Sequence, residues 1–356
     1  MDSRDLSAWL RFLSVELTAR KRNALLERFG DPDSILDAKK DALITADGIR
    51  PADAEAILAS GEPTTMDEIE SGRARLVLLD DPAYPSALRD LADPPPALFV
   101  RGELPTEEAQ KVGIVGTRRA SAYGRMVADK FSRELARAGA IIVSGGAFGV
   151  DARAHKAAAE EGGQTIAFLG CGVDIVYPAD NKALFEQIQE NGALVSEFYF
   201  GMAPYPHNFP MRNRLIAAAS DALLVVEAPQ QSGALITADM AAELGRDVYV
   251  VPGNIDNPNL AGSYALLKDG ARMAVSPEDV CEPLGLRTAA FAPKAKTLSF
   301  EQRLVLDALT SQPVRIDEIV HETNLTVQTV QVEVTKLEVM GLVRRVAGGC
   351  FIKVMQ

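Results

Sequence analysis

The chain reads as an α/β protein: an extended Rossmann-like, doubly wound and mostly parallel sheet, preceded by an all-α module and followed by a winged helix. Three observations predict this. Six short, continuous apolar runs between residues 112 and 251 alternate with segments of helical periodicity, the signature of βαβ units. Loops rich in Gly, Ser and Arg follow several of those runs, where such a sheet binds its ligands. Residues 299–356 then run helix, helix, helix and hairpin.

Taken in order, residues 1–70 form a helical module of helix-hairpin-helix or SAM-like type. Leu6, Leu10, Leu13 and Leu17 keep a helical spacing, and Ala46–Leu58 carries a Gly48 turn between helices, with Arg50 where a second turn glycine is usual. A packing role and a DNA contact both fit this turn. Residues 71–105, with Pro94-Pro-Pro96, read as a connector with short extended pieces. Residues 106–285 form the Rossmann-like domain. Its strands are expected at 112–115, 140–144, 165–169, 193–196, 222–227 and 248–251, each apolar throughout, as suits strands buried on both faces. Residues 286–298, with Pro293 and three basic residues, read as a linker.

In the last domain, residues 299–356, Ser299 is placed to cap a helix over 300–309, with further helices at 316–321 and 326–340 and a hairpin of 342–345 with 350–354. The third helix carries one Lys and two Glu over residues 326–338. Helices that read duplex bases present Arg, Lys, Asn or Gln to the groove, so protein contact or regulation suits this one better.

Composition narrows the function. A net charge of −12 argues against coating DNA with bulk positive charge, and 47% hydrophobic residues argue against disorder. No apolar run is long enough to span a membrane, and the first residues lack a signal-peptide core, so a cytoplasmic protein is expected. Cys171, Cys281 and Cys350 are scattered, as are His155, His207 and His321, so neither a disulfide framework nor a metal site is expected, and no cofactor motif is present. Positive charge is instead local: residues 116–137 hold six basic and two acidic residues, and 202–220 hold Arg212 and Arg214 with no acid.

Four loops carry the chemistry. Gly116-Thr-Arg-Arg-Ala-Ser121 offers a tight turn, a guanidinium fork at Arg118 for a phosphate, and a hydroxyl at Ser121 for a helix cap or the same phosphate. It matches neither GxGxxG nor a nucleotide-triphosphate loop, which argues against an oxidoreductase and against ATP hydrolysis. Ser144-Gly145-Gly146 opens a loop whose glycines admit a close backbone approach, with Asp151 suited to capping the next helix. Phe209-Pro-Met-Arg-Asn-Arg214 sets Arg212, Asn213 and Arg214 beside an aromatic ring, the combination that grips single strands by charge and stacking, although Phe209 also suits a core. Ser232-Gly233, with Thr237 one turn on, is a helix entry suited to an anion.

Together these stretches resemble the DprA/Smf family of DNA-processing proteins. The resemblance runs through GTRRAS (116–121), SGGAFGVDARAH (144–155), LGCGVDIVYP (169–178), NFPMRNRLIA (208–217), VVEAPQQSGALITA (225–238) and GRDVYVVPG (245–253), with Tyr264 standing where the family usually has Asn. It implies a cytosolic protein that binds single-stranded DNA, forms a homodimer through the Rossmann-like domain, and loads the RecA recombinase during natural transformation, without enzymatic activity. The expected DNA-binding residues are Gly116, Arg118, Ser121, Ser144, Gly145, Gly146, Phe209, Arg212, Asn213, Arg214, Ser232, Gly233 and Thr237. The competing reading is a nucleotide-processing hydrolase similar to the phosphoribohydrolases labelled lysine-decarboxylase-like. Their Pro-Gly-Gly-x-Gly-Thr loop and following Glu are missing at 230–239, which leaves Glu227 as the obvious general acid.

Overall fold

A computed structural model describes residues 3–63, 65–286, 298–310, 313–339, 342–346 and 349–353. Most of the linker expected at 286–298 lies outside the described residues. The chain divides into two units, Met1–Ala289 and Ala290–Gln356.

In the first unit, helices α1 (Ser3–Ser14), α2 (Ala19–Phe29), α3 (Pro32–Leu36), α4 (Lys40–Leu43), α5 (Pro51–Leu58) and α6 (Met66–Glu70) come first. The regularly spaced leucines do what their spacing predicts: Leu10 and Leu13 are buried, packed against the sheet with Phe99 and Leu194, while Phe12, Leu25, Ile35 and Ile57 form the module's own core. Thr18 caps α2 by accepting from the Lys21 amide, and Asp31 caps α3 by accepting from Ser34. At the Gly48 turn (φ 73°), Asp53 accepts from the Arg50 amide and pairs with Arg50 and Lys21, which holds its carboxyl well below the usual range.

The sheet contains β1 (Arg75–Leu78), β2 (Ala97–Gly102), β3 (Lys111–Val115), β4 (Ile141–Ser144), β5 (Thr165–Phe168), β6 (Gly192–Ser196), β7 (Ala222–Val225), β8 (Asp247–Val250) and β9 (Arg272–Met273). Their order is β1-β2-β6-β5-β4-β3-β7-β8-β9, with β6 through β9 in that row all parallel and β1 and β2 antiparallel. The stretch read as a connector thus supplies two strands that extend the sheet beyond β6. They are short and separated by a stretch with five prolines, so periodicity could not mark them.

Six expected strands fall within a residue or two of the observed ones, because each is buried on both faces. Along β7, Ala222 and Leu224 face one core while Leu223 and Val225 face the other. On the first side pack α7 (Ala122–Arg137) and α8 (Val150–Glu160). On the other pack α10 (Asn208–Ala218) and α11 (Gly233–Glu243), while α9 (Lys182–Glu190) covers β5 and β6 on the same side as α8. Short helices α12 (Ala261–Lys268) and α13 (Glu278–Cys281) close the unit. His155 is sealed in α8: its Nδ1 donates to Thr165 Oγ1 at 2.7 Å, since that hydroxyl already donates to Ile142, and burial pushes the imidazole down to about 3.

The second unit holds α14 (Phe300–Asp307), β10 (Val314–Arg315), α15 (Ile316–Thr323), α16 (Val327–Val339), β11 (Val343–Val346) and β12 (Cys350–Lys353), with strands ordered β10-β12-β11. This is a winged helix, with one more short strand than periodicity suggests. Ser299 caps α14 in a reciprocal box with Gln302. The exposed face of α16 carries Gln328, Gln331, Val332 and Thr335, and its Lys336 pairs with Glu333.

Candidate nucleic-acid interface

The strand order reverses between β3 and β7, and the loops leaving their carboxyl ends part there to open a crevice of about 550 Å³. Gly116 begins one wall. A side chain there would meet Val150 Cγ2 at 2.6 Å, so glycine lets the β3–α7 loop lie against α8. The loop then lifts Arg118 and Arg119 into solvent. Arg118 rests its guanidinium over the ring of Phe209, 4.7 Å from the centroid, and Tyr177 leans on the same ring at 5.7 Å. Ser232 and Gly233, at the start of α11, form the opposite wall, with Ser232 accepting from the Ala234 amide.

The floor is made by α10. Residues 209–216, expected as an arginine-bearing loop, lie in the helix, because Pro210 falls in its first turn, where its missing N–H costs nothing. Arg212 and Arg214 therefore lie two residues apart on a helix, about 200° around its axis, and leave on opposite sides. Arg212 turns inward: it is 3% exposed, donates to the carbonyls of Gly145 (2.6 Å) and Phe168, and reaches Asn213 Oδ1 at 3.2 Å. Burial pushes its guanidinium down to about 10. Arg214 is drawn away from the crevice, pairing with the buried Glu197 and donating to the Asp93 carbonyl at 2.9 Å. The expectation that three arginines share one rim is corrected. Arg118 is presented to solvent, Arg212 forms the crevice floor through bonds to the protein's own carbonyls, and Arg214 is a docking residue elsewhere.

The first two loops need similar correction. The Ser121 amide donates to Glu227 Oε2 at 2.8 Å and its hydroxyl donates to the other oxygen, while Ser121 Oγ caps Gly124. Ser144 is fully buried, its hydroxyl on the Ile114 carbonyl. Gly145 and Gly146 are also buried. An added Cβ on Gly145 would strike the Arg212 guanidinium, and the Gly146 carbonyl accepts from Asn181. None of these four faces the 550 Å³ crevice. The glycines admit a close approach, as expected, but by the protein's own side chains, Arg212 at Gly145 and Phe185 at Gly146. Gly116, Arg118, Phe209, Arg212, Asn213, Ser232, Gly233 and Thr237 do line it. Thr237 donates to the Gly233 carbonyl at 3.3 Å and Asn213 to the same oxygen at 3.2 Å, so both brace the start of α11.

Charge counting also overstated the local positive field. Arg133 of α7 is held by Asp129, Glu160 and Glu161, and Arg137 by Glu134 and Glu161. Only the loop end of that segment, at Arg118 and Arg119, points guanidinium groups outward beside the crevice. Asp151 lines the crevice base; burial pushes its pKa up, opposed by Arg212 and by the nearby amides of Ala147 and Gly145. Glu227 is wholly enclosed, with its oxygens committed to Ser121. It does not line the crevice, where the hydrolase reading would place its general acid.

Residues 75–285 match the DNA recombination-mediator protein A family, and residues 274–349 match the DprA winged helix domain. The chain belongs to this family. It is 33% identical to Protein Smf of Escherichia coli over 97% of this chain and 95% of that one, and 35% identical to Protein Smf of Synechocystis over 80% and 81%. The fold is similar to the X-ray structure of DNA processing protein A from Streptococcus pneumoniae (TM-score 0.67, 32% identity, 79% of this chain and 98% of that one). It is also similar to a Helicobacter pylori DNA processing protein A whose structure addresses its single-stranded DNA binding mode (TM-score 0.53, 32% identity, 59% and 95%).

Within this family frame, the crevice and a small cleft beside Arg118 contain residues that sequence reasoning passed over. Tyr177, 40% exposed, lines it beside Phe209, and Phe148, 42% exposed, adjoins Arg118 in a small cleft. Both lie in stretches that carry the DprA/Smf resemblance, yet an isolated aromatic in a loop gives no periodic signal. Tyr264 donates to the Gly253 carbonyl at 2.9 Å, much as Tyr123 donates to Pro252, so a phenol bonds the backbone there. No helix among the described residues is long and apolar enough to cross a membrane.

Proposed function

We propose that the crevice binds single-stranded DNA. The observation that carries the reading is Arg118: an exposed guanidinium, stacked on Phe209 and flanked by Tyr177, at the mouth of the sheet's reversal point. Arg118 and Arg119 contact phosphates, and Gly116, Ser232 and Gly233 let the backbone pass close. Arg118 already covers one face of the half-buried Phe209, so Tyr177 and Phe148 stack the bases. Such stacking contributes about 1–3 kcal/mol per base and tolerates any sequence. Arg212, Asn213 and Thr237 hold the floor in shape. The Helicobacter pylori protein's single-stranded DNA binding mode and the family's description as recombination mediators support the assignment.

The role is binding rather than catalysis, in the cytoplasm, with the bound strand delivered to the RecA recombinase. The chain acts as a homodimer through the Rossmann-like domain, where β9 bonds only to β8 among the described strands and Met273 and Val275 stand exposed. The test is fluorescence anisotropy with a labelled oligo-dT and a matched duplex at two salt concentrations. The single strand is expected to bind more tightly, with log Kd changing against log salt by about 0.7 per phosphate contacted. Duplex preference would overturn the assignment and shift interest to the winged helix.

A further inference from the structure

In a doubly wound sheet, the helix that follows the strand at the reversal point ordinarily receives the pyrophosphate of a bound nucleotide, on free amides at its first turn. Here that helix is α7, and its first turn is occupied from within. Glu227, just beyond the end of β7, has no exposed surface. Its carboxylate accepts from the Ser121 amide at 2.8 Å and from the Ser121 hydroxyl, and that same hydroxyl oxygen accepts from the Gly124 amide at 3.0 Å. Gly124 completes the fit: a Cβ there would overlap Glu227 Oε2. Glu227 makes no ion pair among the described residues, and its carboxylate faces the positive end of α7 and these two donors. The Glu227 carbonyl also accepts from the Thr117 amide at 2.7 Å, which ties both ends of the Arg118 loop to β7.

We propose that Glu227 is a specificity-determining residue. It is a built-in anion that closes the nucleotide-pyrophosphate position of this sheet, so free nucleoside diphosphates and dinucleotides are refused. A phosphate arriving there would meet both an occupied concavity and a like charge shielded from water, where repulsion is strong. This goes beyond the single-strand reading and does not depend on it.

The test follows backbone amide resonances of the full chain by NMR during titration with inorganic pyrophosphate and with ADP. In the wild-type protein, Ala122, Tyr123 and Gly124 are expected to show no saturable shift; a saturable shift at these three amides overturns the proposal. In Glu227→Ala, which vacates the first turn, the same amides are expected to shift saturably, with affinity at least tenfold above any wild-type value. A folded Glu227→Ala chain whose amides stay silent overturns it as well. Should that variant fail to fold, the wild-type titration still decides. Oligonucleotide anisotropy on the wild type separates the two ideas: silent amides with no DNA binding would sink the single-strand reading and leave the role of Glu227 standing.

Discussion

The β3–α7 loop and helix α10 each bring a pair of arginines to the neighbourhood of one crevice, and they use them in opposite ways. On the loop, Arg118 and Arg119 have no carboxylate partner among the described residues, and Arg118 lies on an aromatic face. On the helix, Arg212 bonds to backbone carbonyls and Arg214 to a buried glutamate. A loop lets side chains follow solvent, whereas a helix packed against a sheet commits each position to a side. Local charge density is thus a poor guide to a binding surface until the geometry of the backbone carrying it is known.

The contrast breaks most visibly at Arg214. Arg214→Ala strands Glu197 in the interior, where one carboxylate oxygen already lacks a hydrogen-bond partner, and is expected to cost about 3 kcal/mol or more in urea unfolding. Burial pushes the Glu197 carboxyl up, opposed by Arg214 and Arg22. Loss of Arg214 raises that pKa further, so the deficit of the variant should widen as pH climbs through the wild type's raised value toward the variant's higher one. A variant as stable as wild type at neutral pH would place Arg214 outside the framework.

Arg212→Ala comes next. It deprives the Gly145 and Phe168 carbonyls of their donor and is expected to cost about 2 kcal/mol, read as a lowered thermal midpoint. Any loss of DNA binding should follow that loosening and recover at lower temperature. Arg118→Ala inverts the pattern: stability within about 0.5 kcal/mol of wild type, but oligo-dT affinity down tenfold or more by anisotropy. Equal affinity in this variant would move the binding surface off the crevice. The smallest effect is expected at Arg119→Ala, about threefold in affinity with a shallower salt dependence, since it has no ring to rest on.

Much of this molecule is legible in its sequence because burial on both faces leaves an unmistakable mark. Val112 to Val115 or Leu223 to Val226 admit no amphipathic alternative, and the βαβ alternation follows from them. The placement of ligand loops at strand ends is also legible, since it depends on topology. What escaped was side-chain direction. Residues 209–216 read as a loop at a strand end, yet Pro210 sits where a helix begins. Once the segment is helical, the two-residue spacing of Arg212 and Arg214 is enough to separate them. Ser121 and Ser144 escaped for another reason: their partners, Glu227 and Ile114, are distant in sequence, and only the folded sheet brings them within reach.

The contact between Arg118 and Phe209 has a kinetic consequence. A long cationic side chain normally surrenders much rotational freedom when it is captured by a ligand. Here the ring of Phe209 restrains it, so little remains to be surrendered when an anion is bound. The advantage should appear as a longer-lived complex more than as faster encounter, which a net negative molecule is poorly equipped to provide.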